Sequence, residues 1–524
     1  MGVYLNPEPK RFAESIASEI FVDKSRMISY TNSVIDTEQK YICVSRPRRF
    51  GKSMAVGMLS AYYGNGETRD LFKGLNISND PSFDKYRNRY QVISVNMQEF
   101  LSRSKNVEDM ITLLQRKLTW ELTGSFSGIN YFDKSDLIEV MNDIYASVGS
   151  TFIILIDEWD CIFREYKDDK RGQKLYLDFL RFWLKDKSYV SLAYMTGILP
   201  IKKYGSHSAL NMFTEFSMTN PKGLAEFVGF TKDEVQNLCE CYDMDFTEMR
   251  TWYDGYAFQS GLSVYSPKSV VEALRWRTFD TYWNQTETYE ALKVYIQMNF
   301  NGLKDAVVQM LAGGRIKINT AKFSNDMTTF SSRDDVLTLL VHLGYLAYDG
   351  AAESVFIPNK EVSMEYINAI EDIHWDEVIH AVRDSEQLLE ALWRKDDQAV
   401  ATGIDSVHES TSILQYNNEN ALSYTIGLAF YTAREYYMIV RELPAGKGYA
   451  DICFIPRSSY ADKPAVVIEL KWDKTTEGAI RQIKEKKYTD AFGSYTGKIL
   501  LAGINYNKKT KKHECKIEEY YKEY

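Results

Sequence analysis

One stretch of the sequence places a glycine, a lysine and a serine between a strand-like run and a helix-like run. The apolar run Tyr41–Ser45 leads into Arg-Pro-Arg-Arg-Phe-Gly-Lys-Ser at residues 46–53, and a helical pattern covers Lys52–Tyr63. In a strand–loop–helix arrangement, glycine lets backbone amides approach phosphate groups, lysine reaches the β- and γ-phosphates, and serine ligates Mg²⁺. The predicted phosphate-binding loop comprises Arg46, Pro47, Arg48, Arg49, Phe50, Gly51, Lys52 and Ser53. An ordinary helix start is the alternative, because Gly-Lys-Ser is a common tripeptide and Arg46 stands where such loops usually have their first glycine.

Two neighbouring carboxylates follow another apolar run. Residues 152–156, Phe-Ile-Ile-Leu-Ile, have the length and composition of a buried strand, and Asp157 and Glu158 come directly after them. At such a strand end Asp157 can hold Mg²⁺ and Glu158 can orient an attacking water. A strand capped by a solvated acidic turn is the alternative. It does not explain why the acids follow the lysine loop by about a hundred residues, the order that P-loop ATPases use. The two motifs together predict that the chain binds and hydrolyses ATP.

Alternating strand-like and helix-like runs predict a parallel sheet covered on both faces. The predicted strands are 41–45, 91–95, 152–156 and 191–195, and the predicted helices between them are 52–63, 107–122 and 174–184. The strand at 91–95 fits the subclass of P-loop NTPases that inserts one strand between the two motifs. The fourth strand ends at Thr196, whose hydroxyl is a candidate for sensing the γ-phosphate; a helix cap or a turn before Pro200 is the alternative.

A third group of chemically capable residues lies near the carboxyl end. Residues 448–456 and 465–472 read as strands. Asp451 lies on the first, and Glu469 and Lys471 share one face of the second because side chains alternate along a strand. Two carboxylates can hold Mg²⁺ beside a scissile phosphate while Lys471 orients the attacking water or steadies the developing charge. An exposed Glu-x-Lys ion pair on a sheet surface is the alternative.

The middle of the chain reads as mainly helical. Residues 226–302 are predicted to form a lid over the nucleotide, in which only Asp254 and Gly255 are candidates for more than packing; a helical spacer is the alternative. Residues 303–405 contain the order of a winged helix, three helices and two strands, followed by a helical linker. Because no arginine-rich recognition helix is visible, a packing role for the winged helix is favoured over DNA reading.

Composition and charge narrow the class of protein further. The 524 residues exceed what one hydrophobic core normally organises, so several domains are expected. No apolar run approaches the roughly 20 residues of a membrane helix and no signal-peptide pattern is present, so a cytoplasmic protein without membrane contact is expected. The cysteines and histidines form no metal-binding pattern. Net charge is −9, but residues 411–524 hold 18 Lys/Arg against 14 Asp/Glu, which is compatible with nucleic-acid contact or with a solvated lysine-rich face.

Four motifs taken together resemble one protein family. Val-Ser-Arg-Pro-Arg-Arg-Phe-Gly-Lys-Ser at residues 44–53 is preceded by Phe-Val-Asp-Lys-Ser at 21–25 and followed by Ile-Asp-Glu-Trp-Asp at 156–160 and Trp-Tyr-Asp-Gly-Tyr at 252–256. This combination is similar to the bacterial AAA-ATPase-like family, over essentially the full chain. The resemblance implies that Arg46 in place of the first loop glycine is the family's own pattern. It also implies a carboxyl-terminal domain of the PD-(D/E)XK nuclease superfamily.

The resemblance to that superfamily adds residues to the carboxyl-terminal site. It implies a metal ligand, Glu419, on a helix before the strands, and a glutamine on a helix at 479–488, while Ala450 stands where the superfamily usually has proline. The implied catalytic residues are Asp451, Glu469, Lys471 and Gln482. Because the superfamily includes members that bind without cutting, the resemblance leaves cleavage activity open.

These patterns predict an α/β protein. A P-loop NTPase with a parallel sheet and an inserted strand is followed by a helical and winged-helix region and by a small α/β restriction-endonuclease-like domain. The predicted boundaries are 1–225, 226–302, 303–405 and 406–524. We expect ATP hydrolysis coupled to Mg²⁺-dependent cleavage of DNA or another nucleic acid, and the class is compatible with a homo-oligomer. A nucleotide-switched assembly factor that binds nucleic acid or protein through an inactive nuclease-like domain is the alternative.

Overall fold

The structure is a computed structural model that describes residues 2–201, 210–258, 261–283, 288–298, 300–324, 327–328, 330–410, 419–445, 448–489 and 497–521. Its helices, numbered in chain order, are α1 Lys10–Ile16, α2 Arg26–Val34, α3 Lys52–Tyr63, α4 Phe83–Tyr86, α5 Met97–Ser102, α6 Val107–Ser125, α7 Leu137–Val148, α8 Cys161–Glu165, α9 Lys170–Leu184, α10 Lys232–Tyr242, α11 Phe246–Tyr253, α12 Pro267–Trp276, α13 Thr288–Ile296, α14 Leu303–Leu311, α15 Arg333–Leu343, α16 Lys360–Asp372, α17 Asp376–Arg394, α18 Asp397–Ser410, α19 Glu419–Ala429, α20 Ala433–Tyr436 and α21 Thr476–Glu485. Its strands are β1 Tyr41–Ser45, β2 Gln91–Asn96, β3 Phe152–Asp157, β4 Val190–Gly197, β5 Thr214–Phe216, β6 Phe230–Thr231, β7 Tyr256–Ala257, β8 Ser263–Tyr265, β9 Ile316–Lys317, β10 Ala347–Asp349, β11 Ser354–Phe356, β12 Tyr437–Ala445, β13 Gly448–Pro456, β14 Ala465–Trp472, β15 Ile499–Asn507 and β16 Lys512–Tyr520. Across these ranges, no helix combines the length and the apolar character that a bilayer crossing needs.

The chain divides into two compact units, and each unit is assembled from two separate segments. The first contains Met1–Glu287 and Lys317–Val362, and the second contains Thr288–Ile316 and Ser363–Tyr524. This division differs from the predicted boundaries at 225, 302 and 405. The difference arises because a sequence reading assigns each domain one continuous stretch, whereas here the chain leaves the first unit and later returns to it.

A five-stranded parallel sheet with the order β2-β3-β4-β1-β5 organises the first unit. Strands β1, β3 and β4 are buried along their whole length, as their almost uninterrupted apolar composition requires. The register pairs Ser45 of β1 with Gly197 of β4, and Asp157 of β3 with Thr196 of β4. The carboxyl ends of β1 and β3 therefore meet at one edge of the sheet, which is where open parallel sheets bind their ligands.

The predicted strands and helices of this sheet are confirmed, with small shifts at their ends. Helix α9 begins four residues earlier than expected, because the Asp169 side chain accepts a hydrogen bond from the Gly172 amide and so caps a first turn with little helical pattern. Strand β5 is not predicted by the sequence. Its three residues are too few to show a periodicity, and its place beside β1 is a tertiary feature.

The region after the parallel sheet has a small antiparallel sheet, β6-β8-β7, together with helices α10 to α12. Helix α10 begins with a reciprocal capping box formed by Thr231 and Glu234. Asp254 holds a turn by accepting hydrogen bonds from the Gly255 amide and the Ser263 hydroxyl. Gly255 has φ +121°, and a Cβ there would lie 2.1 Å from the Pro358 carbonyl oxygen. Asp254 therefore stabilises the turn, and Gly255 allows the close approach of Pro358.

The predicted winged helix is only partly present. Helix α15 and the antiparallel β10–β11 hairpin form as expected, in the first unit. The predicted middle helix is instead a single 3₁₀ turn at Thr320–Lys322, and α14 belongs to the second unit. The segments that the sequence pattern joined into one module are thus shared between two compact units.

A mixed five-stranded sheet, β12-β13-β14-β15-β16, forms the centre of the carboxyl-terminal part of the second unit. Strands β14 and β15 are parallel, and the other neighbouring pairs are antiparallel. Helix α21 packs closely on this sheet because Gly503 has no side chain: a Cβ there would lie 2.6 Å from the Thr476 carbonyl oxygen. The helix begins and ends about three residues before the predicted 479–488, since the Thr475 hydroxyl caps its start and Lys487 has φ +55° just beyond its end.

Candidate functional site

The loop at residues 46–53 has an open backbone where it enters α3. Gly51 has φ +90°, a conformation that favours glycine, and no atom lies within 4 Å of the position that a Cβ would occupy. Arg49 also has a positive φ, +69°, so the chain turns sharply before the helix. The N-terminal amides of α3 together with this turn give the positive potential and the space that a phosphate group needs.

Lys52 and Ser53 join this loop to the acidic strand end. Lys52 is buried, and its Nζ donates a hydrogen bond of 2.9 Å to the Pro47 carbonyl oxygen within the loop. Burial lowers the pKa of Lys52, while Glu158 and the nearby aspartates oppose that shift. Ser53 Oγ donates a 2.6 Å hydrogen bond to Asp157 Oδ2. The fold thus brings together the two motifs that the sequence keeps 104 residues apart.

The two acids at the end of β3 occupy different environments. Asp157 is 1% exposed and directed at Ser53. Glu158 has φ +52° and lines the cavity beside the loop. Burial raises the pKa of Glu158, and the Lys52 ammonium and the Arg164 guanidinium act in the opposite direction. The hydroxyl and carboxylate of Ser53 and Asp157 are the hard oxygen donors that Mg²⁺ prefers, so this donor set fits the ion.

Arg164 is a site residue that the sequence reading missed. Its Nη2 donates to Glu158 Oε2, and its Nε lies 3.3 Å from Asp160 Oδ2. One signal was available, because an acid and an arginine four residues apart on a short helix are expected to face each other. That pattern is common on protein surfaces, and only the burial of Arg164, 9% exposed, distinguishes it here.

A cavity of about 1400 Å³ opens beside the loop. Its polar wall comes from the loop, from Glu158 and Arg164, and from charged residues of α1 and α12; its apolar wall comes from the segment before β1 and from the region after the parallel sheet. The polar residues include Arg11, Arg48, Arg49, Lys52, Ser53, Lys268 and Arg275, and the apolar residues include Phe12, Ile20, Phe21, Val22, Met58, Phe230 and Val271.

Two predicted phosphate contacts are corrected by the structure. Arg46 is fully buried: its Nη1 donates to the Ser45 and Phe216 carbonyl oxygens at 2.9 Å, and burial lowers its pKa to about 10. Thr196 is also fully buried, and its hydroxyl donates to the Val44 carbonyl oxygen at 3.0 Å. Both side chains satisfy backbone groups inside the sheet, so neither faces the cavity.

The rest of the loop is tied to the region after the parallel sheet. Arg49 Nη1 donates to the Tyr282 and Trp283 carbonyl oxygens at 2.5 and 3.0 Å. Phe50 is 1% exposed, and its ring meets the rings of Tyr256 and Trp283 edge to face. Phe50 therefore anchors the loop, while Arg49 both lines the cavity and holds the connecting segment.

In the second unit, the predicted catalytic residues come together on neighbouring strands. The β13–β14 register pairs Ile452 with Ile468, and its continuation sets Asp451 opposite Glu469. Asp451 Oδ2 accepts a 2.7 Å hydrogen bond from the Leu470 amide. Directly opposed residues of an antiparallel pair share one face of the sheet, so both carboxylates lie on the same side.

The Glu469–Lys471 pair is buried, unlike the exposed ion pair of the alternative interpretation. Glu469 is 2% and Lys471 8% exposed, and Lys471 Nζ lies 2.6 Å from Glu469 Oε1. Gln482 on α21 also donates to Glu469 Oε1, and its Nε2 lies 3.2 Å from the Tyr488 hydroxyl. Gln482, the glutamine that the resemblance implied, thus contacts the carboxylate of Glu469.

The outer parts of this predicted site are less complete. Glu419 is the first residue of α19, but its side chain lies outside the described residues. Within the described ranges, no three His, Cys, Asp or Glu side chains are close enough together to hold a metal ion. The sequence also suggests that lysines 484, 486, 487, 508, 509, 511 and 512 line a phosphate-contacting edge. Two of them are ion-paired: Lys484 with Glu518, and Lys512 with Asp405 and Glu409.

The loop, the acidic strand end and the order of the parallel sheet define the first unit as a P-loop NTPase fold of the subclass with a strand between the two motif strands. The strand in that place is β4, whereas the strand at 91–95, which the sequence suggested as the inserted one, is β2 at the edge of the sheet. Comparison with protein families agrees with this class. Residues 10–206 match the family described as predicted AAA-ATPase, and residues 418–516 match the PD-(D/E)XK nuclease superfamily. The chain therefore combines an AAA-ATPase-like domain with a PD-(D/E)XK nuclease-superfamily domain, which is the architecture that the sequence resemblance predicted.

Individual relatives are distant. An Azotobacter chroococcum mcd 1 protein described as "Uncharacterized protein in vnfD 5'region" is 23% identical over 522 residues, which cover 93% of each chain. The Walker-type ATPase paby2304 of Pyrococcus abyssi has a TM-score of 0.35 and 14% identity, over 66% of this chain and 94% of its own. Cdc6p from Pyrobaculum aerophilum has a TM-score of 0.25 and 8% identity, over 71% and 99%.

Proposed function

We propose that the first unit binds ATP with Mg²⁺ at residues 46–53 and hydrolyses it. The observation that carries the proposal is the 2.6 Å hydrogen bond from Ser53 to Asp157, which joins the lysine loop to the acidic strand end. Lys52 and Glu158 lie at the same edge and line one cavity. The apolar side chains of that cavity, Phe12 and Phe21 among them, suit the face of an adenine ring.

Each polar group of the site has a separate task in this proposal. The amides around Gly51 and the ammonium of Lys52 bind phosphate oxygens. Ser53 and Asp157 hold the Mg²⁺, which neutralises phosphate charge when bound. Glu158 orients the water whose oxygen bonds to the γ-phosphorus as the bond to the ADP oxygen breaks, and the released proton passes through the carboxylate to solvent.

For the second unit we propose metal-dependent cleavage of DNA or another nucleic acid. Asp451 and Glu469, on facing strand positions, supply carboxylate oxygens of the kind that Mg²⁺ takes, so the donor types fit. Lys471, held beside Glu469, orients the attacking water or steadies the charge on the phosphate. The burial of Glu469 and Lys471 supports this role over that of a surface ion pair.

One observation favours the competing function, a nucleotide-switched binding protein that does not cut. Glu469 Oε1 accepts hydrogen bonds from both Lys471 and Gln482, so a metal ion has to compete with two donors for that oxygen. Under this alternative the carboxyl-terminal domain binds nucleic acid or protein without cutting it, and the nucleotide state of the ATPase domain controls that binding.

The deciding experiment measures two products from one reaction. Purified full-length protein is incubated with Mg²⁺, ATP and single- or double-stranded DNA or RNA, and phosphate release and strand cleavage are followed separately. Phosphate release with Mg²⁺-dependent cleavage is the expected result. Phosphate release without cleavage of any substrate favours the binding protein, and no phosphate release contradicts the ATPase proposal.

A further inference from the structure

The carboxylate of Glu158 is fixed by a side chain that belongs to neither of the two ATPase motifs. Arg164 donates through Nη2 to Glu158 Oε2, and its Nε lies 3.3 Å from Asp160 Oδ2. The Arg164 side chain is 9% exposed and lines the same cavity as Lys52. Holding a long, flexible side chain in one buried geometry between two carboxylates defines where Glu158 points.

Asp160 is in turn anchored to the end of strand β4. It is fully buried, and its Oδ2 accepts hydrogen bonds from the Ile198 and Leu199 amides at 3.0 and 2.8 Å. Gly197 makes this approach possible, because a Cβ at that position would lie 2.5 Å from Asp160 Oδ1. A continuous set of polar contacts therefore runs from the β4 backbone through Asp160 and Arg164 to Glu158.

We propose that Arg164 is a positioning residue for ATP hydrolysis, which keeps the Glu158 carboxylate aimed into the cavity, with Asp160 as its anchor. The inference rests on the proposed ATPase function and names a residue outside the two motifs for the same reaction. Arg164 acts through Glu158, so its removal affects the chemical step more than nucleotide binding.

The test compares wild type with Arg164→Ala in the full-length protein. We expect kcat to fall on the order of ten- to a hundredfold, part of what a positioned general base contributes, while the Kd for ATP changes by less than about threefold. The KM for ATP should stay within about threefold of the wild-type value, so the loss falls on kcat. A role in folding alone would not produce this split between kcat and KM.

Two further variants make the test specific. Arg164→Lys keeps a positive charge but not the fork that reaches two carboxylates, so we expect its kcat to lie between those of wild type and Arg164→Ala. Arg181→Ala removes an arginine of similar length whose partner is Asp178 on α9, away from the cavity. This matched control should leave kcat and the Kd for ATP unchanged.

Several results would overturn the inference. An Arg164→Ala protein that hydrolyses ATP as fast as wild type, or faster, shows that Arg164 does not position Glu158 productively. A lower kcat accompanied by an equal loss of ATP binding shows a structural role only. Should Arg164→Ala not fold, Arg164→Lys decides, since a wild-type kcat there contradicts the requirement for the fork. Absence of phosphate release from wild type overturns the ATPase proposal and the role of Arg164 with it.

Discussion

Lys52 and Glu158 line one cavity, and substitutions of these two side chains should have different effects. Lys52→Ala removes the ammonium that contacts phosphate, so we expect nucleotide binding to be lost. Glu158→Gln keeps the shape of the side chain but not its charge, so binding should persist while hydrolysis falls by about a hundredfold or more. Nucleotide titration and phosphate release measure the two effects. Lys174→Ala, an exposed lysine on α9, is the control. Wild-type ATP affinity in Lys52→Ala would show the phosphate-loop assignment to be wrong.

Glu158 should also make the stability of the protein depend on pH. Burial raises its pKa in the folded state, so the folded protein favours the protonated carboxyl. The stability that this group contributes is present below its unfolded pKa and is lost as pH rises through the higher folded pKa. Glu158→Gln removes the titration, so its unfolding temperature relative to wild type should rise from acidic to neutral pH. Thermal unfolding at a series of pH values measures this, and identical pH dependence in the two proteins would contradict it.

The types of residue in the two motifs predicted the chemistry of the sites, but the sequence did not predict which individual side chains face the cavity. The contacts of Ser53 with Asp157 and of Lys471 with Glu469 follow from strand order and from alternation along a strand, both of which are visible in the sequence. Arg46 and Thr196 lie in the right segments, yet both face inward, because the direction of a side chain at a strand end depends on tertiary packing. Arg164 was missed because an acid and an arginine four residues apart are common on helix surfaces, and its burial is a tertiary feature.

At the scale of elements, the turn at Gly255 depends on the absence of a side chain. With φ +121° and the Pro358 carbonyl oxygen 2.1 Å from a Cβ position, Gly255→Ala should lower the free energy of unfolding by about 2 kcal/mol or more. Gly124→Ala is the matched control, because Gly124 lies in α6 with open space around it. That change should raise stability by about 0.5–1 kcal/mol. Denaturant titration measures both, and equal effects of the two substitutions would contradict the packing argument.

Elements with a long apolar pattern were predictable, and short elements were not. Strands β1, β3 and β4 are mostly apolar and fully buried, so composition and length were enough to identify them. Strand β5 and the 3₁₀ turn at Thr320–Lys322 have three residues each, which is less than one turn of an α-helix and too few to show strand alternation. Their structure comes from neighbouring elements.

At the scale of the whole molecule, the two proposed sites should fail independently. Asp451→Ala or Glu469→Ala removes an oxygen ligand from a hard cation, so we expect Mg²⁺-dependent cleavage to be lost while phosphate release from ATP remains measurable. Lys471→Ala should spare metal binding and slow cleavage. Metal titration and cleavage assays on single- and double-stranded DNA measure these effects.

The control for the carboxylates is Asp462→Ala, which removes an exposed acid beside Lys463 in the same domain. It should leave both activities unchanged. Equal metal affinity and equal cutting in Asp451→Ala and wild type would contradict the nuclease assignment at these residues.

The division of the chain into units was the least predictable feature of the molecule. The families of both domains followed from motifs at residues 21–25, 44–53, 156–160 and 252–256 and from residues 451–482. The boundaries did not, because Lys317–Val362 rejoins the first unit after Thr288–Ile316 has contributed to the second. The return of the chain to the first unit depends on contacts between segments that are far apart in the sequence. A local pattern of hydrophobic residues does not indicate such contacts.

The order of the parallel sheet has a consequence for how the chain folds as it is made. Strand β4 lies between β1 and β3, so neither motif strand gains that neighbour until about residue 197 has left the ribosome. At roughly 5–20 residues per second, β1 waits on the order of ten seconds or more with unpaired backbone groups and apolar side chains available for wrong pairing. A nascent chain released before β4 should therefore aggregate, whereas one released after β5 can close the sheet. Holdase chaperones should therefore bind the growing chain most usefully in the interval between synthesis of β1 and synthesis of β4. Slower translation before β4 lengthens that interval.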